Sequence, residues 1–373
     1  MAEDVKMGLT EEDVKERGRG PGIAGLLKAM GDSAADPEAI AQSEDGRLME
    51  ERMSLMGMGE DSPEGREYWA NYEKGLRKQV HGEGMEKWSS FVPLAAQREP
   101  ERKFPLIFCL HGAHNPIQLT ESYGVMQVAA REECIVIAPE NENWENMEKL
   151  LAYAKENFPV DERRVCSIGY SFGGFMSSRN VPAHPELFAG VGMGGMLFAG
   201  KVPAHDLDGQ RYEEYELTEE MLQKAERLGV PAALFMGENE MLRLLPLWKN
   251  PEGEVRDGVI PLRSGDKQRA FHNFRRAGQC GPADFLQENE SGEEVAGRIG
   301  AKFERTEIRT YYGRKYFIGD SVNPDGDCLF RAIACEKMVH WPTAMFAELV
   351  WEHISRFARD PKTGKLIKGE EFL

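Results

Sequence analysis

Residues 164–178 read Arg164-Val165-Cys166-Ser167-Ile168-Gly169-Tyr170-Ser171-Phe172-Gly173-Gly174-Phe175-Met176-Ser177-Ser178. The run up to Ile168 has strand character, and the run from Gly174 reads as the start of a helix. Between them a serine is flanked by two glycines in the pattern G-x-S-x-G. Strand, sharp turn and helix in that order form a nucleophile elbow. The reason is steric. A strained turn lifts the serine hydroxyl clear of the strand end, and a Cβ at Gly169 or Gly173 would block the close approach of neighbouring backbone. The helix that follows favours negative charge near its N-terminal end. A G-x-S-x-G pentapeptide alone is weak evidence, because a Gly-rich connector can contain it by chance. The rest of the chain has to supply partners for Ser171.

The chain has 373 residues, 41% of them hydrophobic, enough for one large α/β domain with an extension. Its net charge is −17. That argues against binding nucleic acid or an anionic membrane through bulk electrostatics. No apolar run is long enough to span a bilayer, and the N-terminus from Met1 to Gly8 lacks the apolar stretch of a signal peptide. The expected location is the cytoplasm. Six cysteines contain no C-x-x-C pair, and no His/Cys cluster has ligand spacing. The cysteines are read as reduced, and no metal or organic cofactor is expected.

Residues 1–66 carry sixteen Asp and Glu against eight Lys and Arg, net −8. Helical patterns begin after Thr10, near Pro37 and near Pro63, so residues 1–75 are expected to form an acidic helical extension. Its surface is a candidate for partner contacts or self-association into a homo-oligomer. From residue 76 to 373 the pattern is that of a catalytic domain. Two period-two runs, about Gln79–His81 and Glu86–Pro93, predict antiparallel leading strands. His81 is read as structural.

Phe104–Leu110 is apolar throughout, as a strand covered on both faces should be. It runs into His111-Gly112-Ala113-His114. A buried strand entering His-Gly is where half of an oxyanion hole is supplied, and the backbone N–H of Ala113 is the expected donor, partnered by that of Phe172. His111 is read as packing under the loop, and His114, Tyr170 and Trp341 as substrate-binding positions. A helix over 119–132, a strand over 134–139 and a helix over 143–157 follow. This alternation predicts a mostly parallel central sheet with helices on both faces.

Pro231–Met236 is another buried strand, ending in Gly237-Glu238-Asn239-Glu240. A carboxylate at that point can accept from a histidine Nδ1–H, and Glu240 is the expected acid, with Glu238 second. Residues 241–305 have no readable motif and are expected to form an insertion or lid; Trp248 and Phe271 are either pocket wall or core. Leu329–Cys335 is the last core strand, and His340 follows it ahead of a C-terminal helix. The order Ser171, Glu240, His340 is the order nucleophile, acid, base.

Taken together, Leu110-His111-Gly112, Ile137-Ala138-Pro139, Val160–Val165 leading into Gly169–Gly174, and His340-Trp341-Pro342 resemble the α/β-hydrolase superfamily. Within it they resemble the branch of polyhydroxybutyrate depolymerase-like and feruloyl esterase-like serine esterases, over roughly residues 85–360. Ala113 stands where secreted members of that branch often carry cysteine, and Glu240 where aspartate is usual. The resemblance implies hydrolysis of a carboxylic ester through an acyl-enzyme, on a small aryl, acyl-sugar or hydroxycinnamoyl ester. Two alternatives stay open: a serine peptidase or amidase of the same fold, and a non-catalytic binding protein.

Overall fold

A computed structural model describes residues 75–369, save 114–116, 203, 208–209, 241–243, 249–263, 288–289, 312, 341 and 344. The acidic extension expected over 1–75 thus lies outside the described residues except for Gly75. So do His114 and Trp341.

Ten strands form one sheet. In chain order they are β1 (Leu76–His81), β2 (Trp88–Pro93), β3 (Phe104–Leu110), β4 (Ile135–Pro139), β5 (Val160–Tyr170), β6 (Gly190–Gly194), β7 (Ala232–Asn239), β8 (Arg305–Tyr311), β9 (Arg314–Val322) and β10 (Cys328–Val339). Their order across the sheet is β1-β2-β4-β3-β5-β6-β7-β10-β9-β8. The pairings from β4 through to β10 are parallel. The pairings outside that block, at both sheet edges, are antiparallel. Among the described residues, besides the one-turn helix Ala95–Arg98, the α-helices are α1 (Val125–Glu132), α2 (Trp144–Asn157), α3 (Phe172–Ala183), α4 (Glu219–Leu228), α5 (Ser264–Ala277), α6 (Glu294–Ile299) and α7 (Met345–Ile354).

The continuous apolar character of β3 has a direct cause. Successive strand side chains point to opposite faces, and both faces are covered. Phe104, Leu106, Phe108 and Leu110 join a core with side chains of α2 to α6. Ile107 and Cys109 join a second core with α1 and α7. Strands buried on both faces lose any polar alternation.

The reading of one helix over 119–132 needs correction. The segment is a 3-10 turn, Ile117–Ser122, followed by α1, with Gly124 at φ 81° between them. A left-handed glycine interrupts the helical backbone there. The last core strand extends beyond Cys335 to Val339, which carries it up to His340. Three short ribbons among the described residues have no counterpart in the sequence reading: Lys201–Val202 with Tyr215–Glu216, His205–Leu207 with Gln210–Tyr212, and Phe357–Arg359 with Leu366–Lys368. Strands of two or three residues are too short to leave a period. Within the segment read as an insertion, Phe271 on α5 is fully buried against Phe285, Phe303 and Phe330, so it is core. No helix among the described residues is long and apolar enough to cross a membrane.

Candidate active site

Ser171 sits between β5 and α3 with φ 58° and ψ −123°, a backbone conformation costly for any residue with a Cβ. The surroundings hold it there. Its N–H donates to Gly194 O at 2.8 Å, and its carbonyl accepts from Phe175 N–H at 3.0 Å. The flanking glycines cannot be larger. A Cβ on Gly169 would stand 2.2 Å from Gly173 O, and one on Gly173 would stand 2.2 Å from Leu110 O and 2.7 Å from His111 O. This second contact presses the first turn of α3 against the end of β3. The N-terminal N–H groups of the helix, beginning with Phe172, therefore lie beside the His111–Ala113 loop.

His340, 6% exposed, bridges two other residues. Its Nε2 lies 2.7 Å from Ser171 Oγ, and its Nδ1 contacts Glu240 Oε2. An ionised carboxylate can only accept, so Nδ1 carries the hydrogen and Nε2 of the neutral ring presents its lone pair to the serine hydroxyl. Glu240 is 1% exposed. Its other oxygen accepts from the Tyr170 hydroxyl at 2.6 Å and from Gly237 N–H at 3.4 Å. Glu238 is committed elsewhere, accepting from Arg298 at 2.6 Å and from Lys337 N–H at 3.0 Å. Of the two carboxylates, Glu240 is the one that meets the histidine.

This order of sheet strands, parallel from β4 to β10, with a serine elbow between β5 and α3, decides the architecture. The fold is that of an α/β-hydrolase.

Tyr170, an expected substrate-binding position, is buried. Its ring is 2% exposed and packs against Tyr123, His340 and Phe346. Burial and the Glu240 carboxylate push its hydroxyl pKa well up, so it remains a donor. Tyr170 is the last residue of β5, and the chain reverses at Ser171. His114 and Trp341, the other expected substrate contacts, lie outside the described residues. Of the two expected oxyanion donors, Phe172 opens α3 and Ala113 follows β3. The N–H of Gly112, between His111 and Ala113, is already spent on Tyr123 Oη at 3.1 Å.

The Glu142 carboxylate beneath this loop was not anticipated. It is 1% exposed and accepts from the His111 backbone N–H. No sequence pattern marks it, because it acts from the loop after β4. Elsewhere, Asp320, Cys328 and His353 bring three donor atoms within 4.8 Å of one another. That cluster suits a cation poorly. Arg331 grips Asp320 at 2.7 and 2.9 Å, and Arg356 faces His353 Nδ1 at 2.9 Å. The six cysteines are all buried and unpaired in disulfides.

No protein-family model and no curated protein matches the chain. Solved structures do. A thermostable esterase is 17% identical over 55% of this chain, with TM-score 0.34, and the match spans only 52% of the esterase. A ferulic acid esterase from Anaeromyces mucronatus in complex with ferulic acid is 13% identical, over 75% of this chain and 89% of that one, with TM-score 0.40. An S-formylglutathione hydrolase from Agrobacterium tumefaciens is 14% identical, over 50% of this chain and 79% of that one, with TM-score 0.34. Likeness this distant says nothing of substrate.

Proposed function

We propose that the protein is a serine hydrolase that cleaves carboxylic esters through an acyl-enzyme. The observation that carries this reading is the line of contacts from Ser171 Oγ through the His340 ring to the buried Glu240 carboxylate. Ser171 Oγ attacks the ester carbonyl carbon while its proton passes to His340 Nε2. The carbonyl π pair moves onto oxygen, where the N–H groups of Phe172 and Ala113 receive the charge. Loss of one such donor costs about 3–4 kcal/mol of barrier. The intermediate collapses, and the alkoxide leaves with the proton from Nε2. Water then repeats the sequence on the acyl-serine, returning acid and free enzyme. Glu240 holds the Nδ1–H tautomer and stabilises the imidazolium. The proposed substrates are small aryl, acyl-sugar or hydroxycinnamoyl esters.

The test is turnover of p-nitrophenyl esters from acetate to octanoate, and of a ferulate ester, by wild type and Ser171→Ala. Turnover by the wild type and none by the variant is the expected result. A wild type inert on every ester removes the proposal.

A further inference from the structure

His111 lies at the end of β3 with its side chain almost entirely out of water, 6% exposed. Both ring nitrogens face carbonyl oxygens: Nδ1 lies 2.8 Å from Gly112 O, and Nε2 lies 3.1 Å from Glu140 O. A carbonyl oxygen only accepts, so each nitrogen has to donate. A neutral imidazole has one N–H; two require the imidazolium. A counter-charge is in place, with Glu142 Oε1 3.8 Å from Nε2. Burial alone would lower the ring's affinity for a proton. Glu142, the two carbonyls and the Glu140 carboxylate outweigh burial, and the net displacement is upward.

We infer that His111 is a protonated positioning residue, whose imidazolium clamps the Gly112 carbonyl and thereby aims the Ala113 N–H at the oxyanion site. A trans peptide is planar, with its C=O and N–H on opposite sides. Pinning Gly112 O down towards the ring therefore turns the Ala113 N–H the other way. The clamp is anchored at its far end. Glu140 N–H donates to Lys87 O at 2.9 Å, and the Glu142 carbonyl accepts from Asn180 Nδ2 on α3 at 3.1 Å. Among the described residues, the other ionisable groups packed around the loop are Tyr123, whose hydroxyl receives Gly112 N–H, Cys109 on β3, and Glu121, which is paired with Lys78 at 2.6 Å. Burial raises the Tyr123 and Cys109 pKa values, so both stay neutral where His111 would titrate. When His111 loses a proton, one of the two carbonyls faces a lone pair, and loss of the Nδ1 proton releases the Gly112–Ala113 peptide.

The charge state stands by itself, whereas the aiming role rests on the reading of Ala113 as an oxyanion donor. The test is nitrogen NMR on the full chain labelled with 15N in its histidine rings, His111 being assigned by its loss in His111→Asn. Two protonated ring nitrogens are expected just above pH 6.5, the ordinary imidazole value; a neutral ring there overturns the assignment. As pH rises further, the Ala113 amide resonance should move with the ring's own midpoint. An Ala113 amide that stays still while the ring deprotonates overturns the aiming role. Neither readout needs a substrate, so both remain decisive if ester hydrolysis fails. With p-nitrophenyl acetate, kcat of the wild type should fall about tenfold or more through that midpoint with KM steady. A kcat indifferent to the ring's deprotonation, in an enzyme that does hydrolyse the ester, also overturns the aiming role.

Discussion

The Tyr170 hydroxyl donates to Glu240 Oε1 at 2.6 Å, on the carboxylate oxygen that His340 does not use. The residue before the candidate nucleophile thus holds the candidate acid. Tyr170→Phe removes one of the donors to this buried carboxylate. The carboxylate loses its grip on the imidazolium, and kcat/KM is expected to fall about tenfold, corresponding to roughly 1.5 kcal/mol for a charge-assisted hydrogen bond. Steady-state kinetics check this. An unchanged kcat/KM would mean that the bond plays no part in catalysis.

Glu240→Gln keeps the shape of the acid and removes its charge. The amide can present an N–H to His340 Nδ1, which favours the wrong tautomer and withdraws the lone pair from Ser171. A loss of about 10³- to 10⁴-fold in kcat is expected. Glu238→Gln serves as the comparison, since its partners are Arg298 and Lys337 N–H. It should leave kcat within about twofold, and a drop matching that of Glu240→Gln would reassign the acid.

The elbow stores strain that two substitutions should read with opposite signs. Gly173→Ala drives a Cβ into Leu110 O and His111 O, and is expected to cost about 1–3 kcal/mol of stability along with most activity. Ser171→Gly relieves the positive φ and should be about 1 kcal/mol more stable than Ser171→Ala. Urea unfolding of the three variants measures both effects. Equal stability of the two serine variants would show that the turn is not strained.

Arg359 is 1% exposed and donates to Phe188 O at 2.6 Å, Gly229 O at 2.6 Å, Gly364 O at 2.8 Å and Leu228 O at 3.2 Å. Burial lowers its pKa to about 10. One side chain therefore ties the C-terminal segment to the C-terminal end of α4 and the approach to β6. Arg359→Met leaves those carbonyls without their donor and is expected to cost about 3–5 kcal/mol. A shift of the urea midpoint too small for 1 kcal/mol would show that water replaces the guanidinium freely.

His353 is fully buried, and burial together with Arg331 and Arg356 pushes its pKa down to about 3. It folds neutral. The unfolded chain takes up a proton near the ordinary value of 6.5, so the stability from this site is complete above that pH. It is lost as pH falls from there towards the folded value. His353→Gln should flatten the stability curve between those limits. A slope equal to that of the wild type would assign acid unfolding to the carboxylates instead.

How far the sequence could be read depended on the kind of signal each feature leaves. The apolar run Phe104–Leu110 marked a strand covered on both sides, because burial of both faces erases polar alternation. Gly169 and Gly173 marked a turn where backbone touches backbone, because only glycine permits 2.2 Å between a would-be Cβ and a carbonyl. The order of Ser171, Glu240 and His340 was legible because each stands just beyond a recognisable strand. The ribbons at 201–216 left no period, being two or three residues long. The burial of Tyr170 was not legible, because chain position does not say on which side of a reversing turn a side chain ends.

Local chemistry, in strand periodicity and small residues, was enough to determine the sheet, the elbow and the residue types around it. The tertiary structure alone decided that Glu240 rather than Glu238 meets His340, that Tyr170 supports the acid, and that both His111 ring nitrogens meet carbonyls. Ser171 and His340 are 169 positions apart, and Tyr170 and Glu240 are 70 apart. Contacts at such separations are set by the twist and register of neighbouring strands, and register is a property of the assembled sheet.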